Sequence, residues 1–81
     1  MTEQDVQATL RAQVAIVTND LSDADLAALN IAAQLDYEPR NRPWYAQVKS
    51  LFTEQDGTRM HAETKRALAA VVLRRIGKGR Q

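Results

Sequence analysis

Apolar residues return every three or four positions along most of this chain, and that period constrains the fold more than any other feature. Val6, Leu10, Val14 and Val17 recur in this way, and so do Trp44, Tyr45, Val48, Leu51 and Phe52. Leu68, Val71, Val72 and Ile76 repeat the pattern near the end. A period near 3.6 places each set on one stripe of an α-helix, and strands would require a period of two. Punctuation between the stripes is sparse, with three glycines and two prolines in 81 residues. The pattern predicts an all-α fold: a compact bundle of four short helices over about 3–18, 23–36, 43–55 and 59–76. One domain, 1–81, accounts for this length, with 77–81 as a frayed basic tail.

Local signals set the helix ends. Thr2 and Ser22 each precede a segment with Asp at the third helical position, Asp5 and Asp25. A hydroxyl there accepts an orphan backbone N–H, and the carboxylate faces the positive helix end. Met1 with Val6, and Leu21 with Leu26, are spaced as hydrophobic staples across those starts. Asn19-Asp20 closes the first helix. YEPRNRP (37–43) reads as a connecting loop, because each proline pushes its predecessor towards extended geometry, and Pro43 then suits the first turn of the third helix. Asp56-Gly57 reads as a stop and Thr58 as the cap of the last helix. From Leu26 to Leu35 only Asn30 and Gln34 are polar. A helix apolar on several sides reads as the central one, or as part of a subunit interface. The aromatic third helix should anchor the core.

Charge is sorted along the chain. Residues 1–38 hold seven carboxylates against Arg11, and residues 58–81 hold seven cations against Glu63, within a net charge of +1. Such a dipole governs encounters with partners more than it governs folding. The basic end supplies the candidate contact residues, Lys65, Arg66, Arg74, Arg75, Lys78 and Arg80. Arg40 and Arg42 on the proline loop can add to them. Cations in a last helical turn also suit the helix dipole, which competes with a binding role for Arg74 and Arg75.

Several chemistries are disfavoured. No cysteine is present, which removes disulfides, thiolate metal sites and a cysteine nucleophile and suits a reducing cytoplasm. MTEQDVQ lacks the basic start and apolar stretch of a secretory signal, and the longest apolar run, Ala67–Leu73, is too short to span a bilayer. His61 is the one histidine and reads as a surface residue at a helix start. Ser22 is used as a cap, and Ser50 has no neighbouring base. DLSDAD lacks the glycine and the distal glutamate of a calcium loop, and IGKGRQ follows no strand as a phosphate loop would. No catalytic set, metal site or cofactor is therefore expected, and no membrane contact.

What remains is surface. The expected function is that of a small non-enzymatic regulator or inhibitor that binds another protein, in the general manner of small helical inhibitors from phages and mobile elements. Homodimerisation is a further expectation, the acidic first helix of one copy meeting the basic last helix of another. The alternative is a nucleic-acid-binding accessory protein using the basic last helix. A helix-turn-helix fits poorly, because the turn at 37–43 is long and proline-stiffened and the third helix carries one cation, Lys49.

Overall fold

The computed structural model describes residues 3–52 and 60–77. Four helices follow one another: α1 (Glu3–Val17), α2 (Asp23–Gln34), α3 (Tyr45–Val48) and α4 (Ala62–Ile76), with a 3-10 turn at Lys49–Leu51 extending α3. No strand occurs among the described residues, and the all-α bundle expected from the periodicity is the fold observed. No helix among them is long and apolar enough to cross a membrane.

The start of α2 is built as its sequence dictates. Ser22 sits in extended backbone at the N-cap, and its hydroxyl accepts the Asp25 N–H at 3.1 Å. Leu21 and Leu26, the staple pair, are both buried. The corresponding start of α1 involves Met1 and Thr2, which lie outside the described residues.

α2 ends two residues earlier than its apolar pattern implies. The Tyr37 N–H reaches back to the Ala32 carbonyl (2.8 Å) and the Asp36 N–H to the Ala33 carbonyl (3.1 Å), while Asp36 adopts φ 55°. This is a Schellman closure with Asp in the left-handed position that glycine usually fills, and it satisfies carbonyls the helix would otherwise orphan. Asp tolerates that position better than most side chains.

The third helix departs most from expectation. In place of a helix over 43–55, α3 makes one α-turn, tightens into the 3-10 turn, and leaves helical geometry at Phe52 (φ −92°, ψ 91°). Trp44 stands at its N-cap with no capping side-chain bond. The segment is held by burial: Trp44, Val48, Leu51 and Phe52 all enter the core, and Tyr45 packs on Phe52 with ring centroids 6.1 Å apart. Leu51 and Phe52 are neighbours in sequence and both are buried, where the chain passes from the 3-10 turn into extended backbone. Residues 53–55, and the 56–58 stop-and-cap signals, lie outside the described residues. α4 is entered through Met60, which is buried, and His61 at the N-cap in extended backbone.

The central helix is α4, not α2. α4 packs along both α1 and α2. Side-chain bonds give the directions: the Gln7 amide donates to the Glu63 carbonyl near the starts of α1 and α4, and Arg75 reaches Thr18 at their far ends, so these two helices run parallel. Gln34 at the end of α2 donates to the Lys65 carbonyl, and Asp23 at its start pairs with Arg75, so α2 runs antiparallel to α4. Leu26, Leu29, Ala32 and Ala33 are the side of α2 that is buried. Its other apolar side is not covered, with Ile31 60% and Leu35 73% exposed.

Candidate docking groove between the first and last helices

The antiparallel order of α2 and α4 decides the fate of the basic residues. It brings the carboxylate-bearing ends of α2 to the cation-bearing ends of α4. Lys65 Nζ pairs with Asp36 at 2.5 Å, and Arg75 Nε pairs with Asp23 at 3.2 Å. Arg75 does more: its terminal nitrogens donate to the Thr18 carbonyl (3.0 Å) and to the Leu21 carbonyl. The planar guanidinium thus ties the turn after α1 to the first turn of α2, a fork geometry that lysine cannot reproduce. Thr18 completes this corner from below, buried, with its hydroxyl donating to the Val14 carbonyl at 2.7 Å.

Arg40 is also engaged within the chain. Its Nε donates to Glu38, whose side chain is nearly buried, and the Tyr45 hydroxyl donates to the other oxygen of the same carboxylate. The hydrogen bond and charge of Glu38 raise the Arg40 pKa above its ordinary value. Burial raises that of Tyr45, with the Glu38 bond adding to the effect. This cluster folds the proline loop back onto α3.

The remaining candidates divide. Arg66 and Arg74 stand on the exposed side of α4, beside a groove between α4 and α1. Arg42 is exposed on the loop, away from that groove, and Lys78 and Arg80 lie outside the described residues. Of the eight cations selected from the sequence, the fold sets Arg74 and Arg66, itself also engaged within the chain, along one groove, and it commits Lys65, Arg75 and Arg40 to intramolecular pairs.

The groove itself is open and encloses about 770 Å³. Its α1 wall carries Ala8, Ala12 and Ala15, one to two turns apart, and its α4 wall carries Ala70 and Val71. Arg11 rises from the α1 side and Arg74 from the α4 side. The groove continues towards the helix starts past Gln7, Arg11 and Arg66. Among the described residues, no Asp or Glu lines either stretch. Among the described residues, no hydrogen bond or ion pair engages the guanidinium of Arg11 or of Arg74. Ile16 and Leu73, adjacent in sequence to Ala15 and Arg74, are 74% and 72% exposed. Helix geometry sets them on the outer shoulders of the two walls.

Arg11 and the α1 alanines were not candidates from sequence. Arg11 is the lone cation of an acidic stretch, and alanine reads neither as core nor as polar face. A signal was present: Ala8, Ala12 and Ala15 repeat at helical spacing on the side of α1 away from Val14.

No family model, curated protein or solved structure matches this chain.

Proposed function

We propose that this chain is a small non-enzymatic regulator or inhibitor that works by binding another protein through the α1/α4 groove. The observation that carries the reading is the conjunction of an alanine-lined groove with two large exposed aliphatic side chains, Ile16 and Leu73, on its shoulders. An apolar centre with charged edges is the anatomy of a protein interface: the centre supplies affinity, and the edges steer the encounter. A cytoplasmic setting is part of the proposal, supported by the cysteine-free sequence, and so is the phage-like or mobile-element character.

The test is paired affinity capture from the native host with the wild-type chain and an Ala15→Trp variant. Ala15 is exposed, so the indole fills the groove without entering the core. The proposal expects a discrete protein recovered by the wild type and lost with Ala15→Trp at unchanged thermal stability. Recovery that is the same for both chains, or no partner at all, contradicts it.

The nucleic-acid reading is favoured by one feature, the arginines aligned along a groove that no Asp or Glu lines among the described residues. It is weakened by the pairing of Lys65, Arg75 and Arg40 with Asp36, Asp23 and Glu38. Phosphate binding draws on several cations presented together. A mobility shift at ~100 mM salt that vanishes with Arg74→Glu would favour it over protein binding. Homodimerisation is a separate proposal, tested by solution mass: a value near 9.1 kDa at micromolar concentration rejects it.

A further inference from the structure

Building on the protein-binding reading, we propose that the α1/α4 groove seats a single α-helix of an acidic partner, small and aliphatic on its contact face and bearing Asp or Glu along both flanks. Shape argues for a helix. Both walls are helices running in the same direction, and the lining from Ala8 to Asn19 spans about 16 Å at 1.5 Å per residue, or three helical turns. Walls carrying Ala8, Ala12, Ala15 and Ala70 let an incoming helix approach at the short end of interhelical distances, where larger side chains would hold it off. Its aliphatic residues then cover Ile16 and Leu73, completing a helix-in-groove contact.

Charge argues for an acidic one. Arg11 and Arg74 stand on opposite walls, so an occupant meets a guanidinium on each flank, and among the described residues the lining offers no carboxylate to neutralise either. A second copy of this chain fits less well. A twofold contact sets the patch against itself and brings Arg11 and Arg74 of one copy towards those of the other. A phosphate backbone gains nothing from the alanine walls.

The probe is a side-chain-stapled helical peptide of three to four turns, with an Ala/Leu stripe and Glu on both flanks. It is compared with the same peptide carrying Lys in place of Glu, each titrated into the isotope-labelled chain and followed by amide chemical shifts. The acidic peptide should shift residues along Ala8–Asn19 and Arg66–Arg75, and the basic one should not. The double variant Arg11→Glu/Arg74→Glu should weaken the acidic peptide about tenfold or more, since two attractive contacts become repulsive. Both side chains are exposed, so the fold should survive, as circular dichroism would verify. Absence of binding, equal binding of the basic peptide, shifts centred on Ile31–Tyr37, or self-association through the groove would each overturn the inference.

Failure here is separable from failure of the broader reading. A host partner lost with Ala15→Trp but retained by Arg11→Glu/Arg74→Glu would keep the protein-binding function and remove the acidic helix.

Discussion

At the scale of single residues, Arg75 shows how a cation read from sequence as a contact residue can be a structural tie. Its guanidinium serves two backbone carbonyls and one carboxylate across the α1–α2 corner. Arg75→Lys keeps the charge and loses the fork, so it should cost about 1–2 kcal/mol in denaturant unfolding. A neutral result would mean the corner holds without it. Asp36 sits at φ 55° and pairs with Lys65. Asp36→Gly relieves the left-handed strain while losing a partly exposed pair, and these offset to within about 0.5 kcal/mol. Asp36→Val loses the pair and worsens the strain, at about 2 kcal/mol. Equal unfolding midpoints for the two variants would contradict this account of the turn.

Tyr45 gives a pH dependence. Its folded-state pKa is raised above the ordinary value of about 10, chiefly by burial. The unfolded chain therefore releases this proton at lower pH than the folded one. The stabilisation is fully present below about pH 10 and is lost as pH rises through the folded-state value. The urea midpoint should fall as pH rises above about 10, and Tyr45→Phe should flatten that fall. An unchanged slope in the variant would assign the alkaline loss to other groups.

At the scale of elements, α1 and α4 were legible because their stripes are long and regular, and α2 because a capped start precedes a long, nearly continuous apolar run. Ser22 and the Leu21/Leu26 staple could be placed from sequence because capping is local. The shape of α3 was not legible: Trp44 to Phe52 has a helical period, yet the helix starts at Trp44 with no side-chain cap and tightens into a 3-10 turn after one α-turn. The centre of the bundle was misplaced for a related reason. α2 has more apolar positions, but α4 has neighbours on two sides, and neighbours are a property of topology. Substitutions on α4 distinguish its faces. Leu68 is fully buried between its neighbours, and Leu68→Ala should cost about 2–5 kcal/mol in transfer and cavity terms. Leu73→Ala should change stability by less than about 0.5 kcal/mol, because the side chain is exposed. A large loss at Leu73 would mean that it is covered in the free protein and is no part of a docking shoulder.

At the scale of the whole molecule, the sorted charge acquires a meaning that its distribution along the chain could not supply. Acidic and basic halves fold onto each other: the two ends of α2 meet the two ends of α4 through Asp23–Arg75 and Asp36–Lys65. The sequence located the basic helix, and its candidates Arg66 and Arg74 are exposed in the fold. Which cations would be consumed depends on the antiparallel order of α2 and α4, and Arg11 joins the groove only through the parallel packing of α1 on α4. Two apolar surfaces then compete as docking faces, the α1/α4 groove and the exposed Ile31, Leu35 and Tyr37 side of α2. The groove alone combines an apolar lining with cations on both walls. The most direct test is a hydrogen-exchange comparison of the chain alone and bound to its captured host partner. The account predicts added protection along Ala8–Asn19 and Arg66–Arg75, with α2 unchanged. Protection centred on Ile31–Tyr37, with the groove unaffected, would contradict it.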